Sequence, residues 1–518
     1  MLSRSSSQQS FPASSASSRS SLSSLSTVGQ DQLGSELHPY DFICVGFGPS
    51  ALSIAIALAD TAPHALDKVL FLEKQNRFMW HGGMLIPASR MQISFIKDFA
   101  TQRDPTSPFT FLNFLHSRGR LIDFVNQANF YPLREEYQEY MSWCADHFSK
   151  QVVYNTNVLS VTPFAPKKKN DGESGGIRLL RVTSACSEDD VPGNENARTR
   201  YARNAIICTG GRPRFPECLK QLRTKYAYNT VRYVNTDQRQ GLGTNAVLQS
   251  MIAHSSDFIY LIPYLQSRAA KKQSFKIGVL GSGQSAAEIV LHILAAFPDF
   301  VNVEMIFSSR ALRPADDTPF VNEIFNPSAV DAIYSLPQAI RQRLICEDKD
   351  TNYGVVRAQL IEKLYEELYS QKLPGHRKRL TLLSSRTLKE ASISDNGSVS
   401  LSLSNSISGE HTEAINESSE RKEYDYLIAA TGYDRTFENE SLLSGLKKYM
   451  NTSNENYASF VTREYRLKLD ERLVTAGVWI QGLCEDTHGL SDSLLSIMAI
   501  RGEIIADQIF PHKKGRSE

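Results

Sequence analysis

No concentrated charge of either sign runs along this chain: 57 lysines and arginines stand against 56 aspartates and glutamates, a net charge of +1 over 518 residues. Without a basic face there is nothing to hold a nucleic acid backbone, and small-molecule partners are expected. Cysteine is sparse as well. The seven, Cys44, Cys144, Cys186, Cys208, Cys218, Cys346 and Cys484, include no C-x-x-C pair and no His/Cys metal spacing. They read as reduced thiols of a reducing compartment, the cytoplasm, and no metal is expected. No apolar run suits a membrane span: residues 42–59 hold no charge, but Gly46, Gly48 and Pro49 split them into a buried strand and a packed helix. Acid is missing from the first 30 residues, which hold fourteen serines and two arginines. Such composition cannot bury enough apolar surface to fold, so residues 1–37 are expected to be a disordered tail. It also describes organelle transit peptides, which leaves mitochondrial import as an alternative to the cytoplasm.

What is present is a repeated strand-turn-helix pattern, Asp41-FICVGFGPSALSIAIAL-Ala59 and Lys276-IGVLGSGQSAAEIVLHIL-Ala295. In such a unit the first two glycines, here Gly46 and Gly48, then Gly281 and Gly283, allow a tight turn and close approach to a pyrophosphate at the helix N-terminus. Ala51 and Ala286 replace the third glycine, as the G-x-G-x-x-G/A form permits. One match would be weak evidence. Two in the same context imply two dinucleotides. The residue ending the second strand of each unit meets the adenosine ribose and separates them. Lys68-VLFLEK ends in Glu73, an acceptor for free ribose hydroxyls, which suits FAD; Val303-EMIFSSR ends in Ser308, Ser309 and Arg310 without an acid, which suits the 2′-phosphate of NADPH. Arg310 can equally be a solvated surface arginine.

Length predicts two or three domains. The strands Tyr201-ARNAIICTGG and Tyr424-DYLIAATGY enclose the whole second unit, so the fold expected is α/β, with two Rossmann-like dinucleotide-binding domains, the second inserted in the first, plus a small mainly helical substrate region. The boundaries expected are 38–240 and 425–512 for the FAD-binding domain, 241–310 and 391–424 for the NADPH-binding domain, and 311–390 for the substrate region, with tails at 1–37 and 513–518. Two polar stretches, about 165–200 and 387–422, read as exposed hairpins or loops without chemistry. Residues 355–372 show helical apolar spacing, and their tyrosines are expected to pack.

Far more specific are Met79-WHGGMLIPASRMQISFIKDFATQRDPTSPFTFLNFL-His116, Tyr131-PLREEYQEYMSWC, Leu312-RPADDTPFVNEIFNP, Thr351-NYGVV, Ala430-Thr431-Gly432-Tyr433 and His488-GLSDSLLSIMAIRGEI. This array resembles the N-hydroxylating flavin monooxygenases, and within them the fungal L-ornithine N5-monooxygenases of siderophore biosynthesis, over most of residues 38–512. The F-x-G-x-x-x-H pattern of Baeyer–Villiger and dimethylaniline-type enzymes is absent, since ending it at His254 puts Leu248 and Ser250 where Phe and Gly should stand. His254-Ser255-Ser256 looks like the N-hydroxylating group's version.

The resemblance implies that Gly46, Gly48, Pro49, Glu73, Lys74, Trp80, His81 and Gln92 line FAD, that Val158 adds backbone contacts, and that Ser493, Leu494 and Leu495 close over the flavin. Ser282, Gly283, Gln284 and Ser285 would hold NADPH, with Asn352 and Tyr353 beside it. The family's arginine for the NADPH phosphate aligns with Ser308, leaving Arg310 displaced by two residues. Lys97, Asn322, Glu323, Asn352 and Ser496 match substrate-contacting positions. The types make chemical sense: an amino acid needs a cation for its carboxylate, as Lys97 supplies, and uncharged acceptors for its α-ammonium. The plainer alternatives are a Lys97 salt bridge to Asp98 or Asp104 and turn or cap roles for the asparagines.

By the same resemblance NADPH reduces FAD, dioxygen adds at C4a, and the side-chain amine of L-ornithine attacks the hydroperoxyflavin to give N5-hydroxyornithine, the first step of hydroxamate siderophore biosynthesis. The flavin carries that chemistry, and no side chain is expected as a catalytic base or nucleophile. A homo-oligomer, dimer or tetramer, is implied as well. The nearest alternative, L-lysine N6-monooxygenation, differs by one methylene, worth about 1–3 kcal/mol in a pocket. An NADPH-dependent flavin reductase or oxidase and a non-catalytic flavin-binding scaffold are the alternatives of other classes.

Overall fold

Two sheets, each built on one glycine turn, organise the chain. The structure is a computed structural model that describes residues 33–165, 176–186, 197–225, 251–272, 274–395, 397–405, 420–435, 441–450 and 461–511. In the first sheet the order is Val152–Val153, Val69–Leu72, Tyr40–Val45, Arg198–Ile207, Leu179–Cys186 and Thr156–Phe164, and Gly477–Ile480 also pairs with Arg198–Ile207. That long strand changes role along its length. Residues Arg198–Ala202 pair antiparallel with Leu180–Ser184, while Asn204–Ile207 lie parallel between Phe42–Val45 and Gly477–Ile480.

Helix Pro49–Thr61 follows the first turn. Pro49 fits the first helical position, whose N–H has no intrahelical partner in any case. Ala51 to Leu58 are all buried, so this is a core helix rather than an amphipathic one. Helix Met498–Ile509 packs on it so closely that a Cβ on Gly502 would stand 2.7 Å from the Ser53 carbonyl oxygen.

The second sheet is parallel throughout, in the order Leu380–Leu383, Val301–Ile306, Phe275–Leu280, Tyr426–Ala429 and Ile252–His254. It lies within the first unit's sequence, and the chain's two crossings run side by side, Arg212–Pro213 pairing antiparallel with Tyr433–Asp434. The α/β fold with one Rossmann-like unit inserted in another is therefore observed.

Several expected boundaries move. Strand Tyr426–Ala429, expected in the first domain from residue 425, pairs in the second sheet. An all-apolar parallel strand carries no mark of which sheet it joins. Helix Ala358–Ser370 and strand Leu380–Leu383, expected in the substrate region 311–390, pack in the second unit, so the separate helices are Pro319–Asn322, Ala329–Ser335 and Gln338–Asn352. The polar stretches are not mere excursions. Leu179–Cys186 is a strand of the first sheet, and Arg386–Ile393, Val399–Asn405 and Glu420–Tyr424 form an antiparallel sheet burying Val399, Leu401 and Leu403. The tyrosines Tyr365 and Tyr369 do not pack but are 69% and 59% exposed, because Leu360, Leu364 and Leu368 hold the inward face. At the N-terminus, Gly34 bonds His38 and accepts from the Tyr201 N–H, so residues 33–37 are not tail; residues 1–32 and 513–518 lie outside the described residues.

No helix among the described residues is long and apolar enough to cross a membrane. The close approach at Gly502 yields a direct expectation: Gly502→Ala should destabilise the protein by about 1–3 kcal/mol through overpacking of the two helices, read as a lower denaturant midpoint, and an unchanged midpoint would show that the helices separate freely.

Candidate functional site

A cavity of about 870 Å³ opens at the carboxyl ends of the first sheet's parallel strands, where α/β sheets bind ligands. Val45, Leu72, Cys208 and Gln481, each at or just past a strand end, form its floor. Gly46 turns there at φ +93°, a conformation that favours glycine. Around Gly48 nothing lies within 4 Å of where a Cβ would be, and this residue begins helix Pro49–Thr61 with no side-chain cap and no acid in the first turn. That is an open anion cradle.

Glu73 is 5% exposed; one carboxylate oxygen accepts the Phe47 N–H at 2.7 Å and the other the Gln75 N–H at 2.9 Å. It therefore shapes the glycine turn as well as facing the cavity, with lone pairs left for ribose hydroxyls. Seven lysine and arginine side chains line the cavity against four carboxylates, Glu73, Asp316, Asp317 and Asp492. Two of those four are already committed: Glu73 as above, and Asp492 to Arg501, with 0% and 1% of each side chain exposed, and to the Cys484 N–H at 2.7 Å. The excess of positive charge suits a polyphosphate ligand. Two buried wall atoms, Gln481 Oε1 and Ser496 Oγ, have no hydrogen-bond partner among the described residues. Buried polar atoms are normally bonded, so both are available to a polar ligand. These features fit FAD.

Lys74, Trp80, His81, Gln92, Val158, Ser493, Leu494 and Leu495, expected around the flavin, all line this cavity. His81 sits at φ +48° with Nδ1 3.1 Å from the Tyr433 hydroxyl. The enclosing walls, then the Arg435 and Arg134 guanidiniums, hold its pKa well below the usual imidazole value, although the ring remains open to the cavity.

Lys97, Asn322, Asn352 and Ser496, 399 positions apart at the extremes, line the same cavity. Lys97 makes no ion pair among the described residues, and burial lowers its pKa. Neither suspected partner is available. The Asp98 carboxylate accepts from Ala100, Thr101 and Phe111, and Asp104 is bonded to Thr106. Asn322 donates Nδ2–H to the Asp317 carbonyl at 2.8 Å, which leaves its amide oxygen to accept. Glu323 and Tyr353 are not part of the wall; Tyr353 bonds the Glu485 carboxylate instead.

The second glycine turn lies outside this cavity. Gly281 (φ +142°) would place a Cβ 2.2 Å from the Ala430 carbonyl oxygen. Ser282, Gly283, Gln284 and Ser285 are half-buried, and Gln284 is held at both ends of its amide, by Glu288 and by the Arg357 N–H. Arg310 is exposed, four residues past the end of strand Val301–Ile306, and touches neither the cavity nor, among the described residues, a carboxylate.

Sequence reasoning named no role for Arg134, Arg435 or Gln481. All three had a signal: Arg134 lies in the quoted Tyr131 motif, Arg435 two residues past Ala430-Thr431-Gly432-Tyr433, and Gln481 is a polar residue ending the apolar run Val478-Trp479-Ile480. No cluster able to hold a metal occurs among the described residues.

Comparison with known proteins agrees with this geometry. The profile of the family described as L-lysine 6-monooxygenase/L-ornithine 5-monooxygenase matches residues 38–435. An L-ornithine N(5)-monooxygenase of Ajellomyces capsulatus is 40% identical over 480 residues, 92% of this chain and 91% of that protein. Among solved structures, the ornithine hydroxylase of Pseudomonas aeruginosa superposes with a TM-score of 0.75 at 35% identity, covering 91% of this chain and 98% of that one. The ornithine N-hydroxylase of Kutzneria sp. 744, solved with reduced FAD, NADP+ and L-ornithine, gives 0.74 at 31% identity over 91% and 99%.

His254 generates a pH expectation. Its Nδ1 accepts the Ser256 N–H at 3.1 Å and its Nε2 faces the Gly432 carbonyl at 2.9 Å, so the ring is neutral with the proton on Nε2. Burial pushes its pKa down to about 4. Between pH ~6.5 and about 4 the unfolded chain binds this proton and the folded chain does not, so stability falls on acidification through that window and is fully present above it. His254→Gln should flatten the slope by up to one proton, about 1.4 kcal/mol per pH unit, in denaturant unfolding from pH 7 to 4.5. An unchanged slope would place the titration elsewhere.

Proposed function

Because this chain belongs to the L-lysine 6-monooxygenase/L-ornithine 5-monooxygenase family, we propose that it hydroxylates the side-chain amine of L-ornithine to N5-hydroxyornithine, a hydroxamate siderophore precursor, using FAD, NADPH and dioxygen. The observation that carries this reading is the convergence of Lys97, Asn322, Asn352 and Ser496 on the one cavity whose floor is the first glycine turn. Gly46, Gly48 and Pro49 hold the pyrophosphate of FAD, Glu73 its ribose, and Trp80, His81, Gln92, Val158 and Ser493 to Leu495 its ring. Ser282 to Ser285 hold NADPH, and Arg310, free of ion pairs among the described residues, is the cation available to its 2′-phosphate. Bound flavin, once reduced, supplies the activation of oxygen.

The remaining tasks fall to the protein. Lys97 binds the ornithine carboxylate through a charge-assisted bond, and the Asn322 amide oxygen accepts from the α-ammonium. Fixing those two ends leaves the chain length of the substrate to set where its amine lies. The walls exclude water, and with it wasteful release of peroxide.

The chain is further proposed to act in the cytoplasm, where its seven free cysteines stay reduced, and as a homo-oligomer, dimer or tetramer, which would cover Ile122, Val125 and Phe130, now 70%, 60% and 58% exposed.

The test is NADPH oxidation with ornithine and lysine side by side, hydroxylamine and peroxide being measured separately. Ornithine should give far more hydroxylamine than lysine, and NADPH should outperform NADH. Equal yields from the two amino acids would overturn the substrate, and amine-independent oxidation would favour a flavin oxidase. Lys97→Ala should remove a contact worth roughly 1.5–3 kcal/mol and raise the ornithine KM by about one to two orders of magnitude. FAD content and flavin reduction without amino acid should stay near wild type; an unchanged KM would remove Lys97 from the site.

A further inference from the structure

Glu288 is a carboxylate buried in the middle of the second unit's glycine-turn helix, Gln284–Ala296, with 5% of the residue exposed. It is met from the other unit. Arg134, at the start of helix Arg134–Asp146, sends both Nη atoms to the two Glu288 oxygens at 2.9 Å each and also bonds the Met84 carbonyl at 2.8 Å. Helix Arg134–Asp146 contributes Tyr137, Tyr140 and Met141 to the core of the first unit, whereas Ile289, Val290 and Ile293 of the Glu288 helix belong to the core of the second. This pair thus joins the two cores by a side-chain contact, in addition to the crossing ribbon.

The contacts form a closed circuit. Glu288 Oε1 accepts from Gln284 Nε2 at 2.8 Å, Gln284 Oε1 accepts the Arg357 N–H at 3.0 Å, and the Arg357 guanidinium lies 4.8 Å over the ring of Tyr131, three residues before Arg134. Tyr131, Arg134 and Arg357 line the cavity, while Gln284 belongs to the second glycine turn. A buried ion pair adds little net stability compared with apolar residues of the same size. A two-pronged arginine–carboxylate contact does fix distance and orientation.

We propose that Glu288 is a positioning residue: through Arg134 and Gln284 it sets how far the second glycine turn stands from the cavity wall. Resting on the reading above, in which that turn carries NADPH and the cavity carries FAD, this sets the reach of hydride transfer and the seal around the reduced flavin. Glu288 does not line the cavity.

Glu288→Gln keeps the shape and removes the charge. In the full chain without cofactors, hydrogen exchange should rise together in 131–141 and 282–290, two segments far apart in sequence, while strands Tyr40–Val45 and Phe275–Leu280 keep their protection. In the FAD-loaded enzyme, the limiting rate of flavin reduction at saturating NADPH should fall about tenfold or more, because a misplacement of about 1 Å is sufficient for such a loss, with KM for NADPH and ornithine nearly unchanged. Peroxide per NADPH should rise. Arg134→Lys, which keeps the charge but not the fork, should show the same pattern more weakly and serves if Glu288→Gln does not fold. A merely structural role would lower the unfolding midpoint and raise exchange throughout, leaving the limiting reduction rate of the folded enzyme unchanged. That outcome, or exchange identical to wild type in both segments, overturns the proposal. A wild-type enzyme that hydroxylates no amine would overturn the functional reading alone, since exchange and reduction rate still decide the role of Glu288.

Discussion

In both nucleotide units the glycine that opens the turn is pressed against the carbonyl oxygen of the strand that leaves the sheet: a Cβ would lie 2.5 Å from the Cys208 oxygen at Gly46 and 2.2 Å from the Ala430 oxygen at Gly281. The surrounding bonds repeat. Gly46 donates to Leu72 and Cys208 to Val45, each at 2.8 Å; Gly281 donates to Ile306 at 2.9 Å and Ala430 to Leu280 at 2.8 Å. Each turn is therefore closed by the strand end reading Cys-Thr-Gly or Ala-Thr-Gly, and those two strand ends continue into the paired crossings between the units. The same steric contact that forces glycine at the turn fixes where one unit hands the chain to the other. Just past the first of these contacts Gly48 faces open space, and Gly46, Gly48 and Cys208 all line the cavity.

Around that frame the buried charges are disposed so that few are left unmatched. Asp492 and Arg501 neutralise each other beneath the segment Ser493 to Leu495, and Asp60 pairs with Arg103 where the first helix ends. Glu73 is satisfied by backbone N–H groups. With these acids committed, the cationic wall residues dominate the potential of the cavity, and a polyphosphate can enter without meeting a free buried carboxylate. His254, fixed as a neutral ring between Ser256 and Gly432, adds no charge of its own at the crossing.

The sequence made legible whatever depended on a local pattern. Glycine turns, the acid after the second strand and the insertion of one unit in another are each written within a few residues, and the four substrate-type residues were reached through motif resemblance. What escaped was written in tertiary pairing. Strand Tyr426–Ala429 is apolar at every position, so its sequence could not say that it joins Phe275–Leu280. The alternation Ser398-Val-Ser-Leu-Ser-Leu-Ser404 was a strand signal of period two, hidden by serine's association with loops. Glu323 and Tyr353 lie beside true wall residues in the chain, yet Pro319–Asn322 ends as a helix at Asn322 and Tyr353 turns to Glu485. Adjacency in a motif is not adjacency on this cavity's wall.

One property of the cavity bears on the chemistry of two amines at once. Burial lowers the pKa of Lys97. In the proposed reaction a carboxylate arriving opposite it would oppose that effect, and an amine lacking the carboxylate would obtain no such contact. Under the proposed reaction the second amine, at the substrate's own side-chain end, enters the same desolvating enclosure without a carboxylate of its own. Desolvation then acts on it unopposed and favours the neutral form, the only one with a lone pair to give. Under the proposed reaction a single physical cause, removal of water, would thus act differently on the two amines: the one paired with a carboxylate would keep its charge, and the unpaired one would be favoured in its neutral, reactive form.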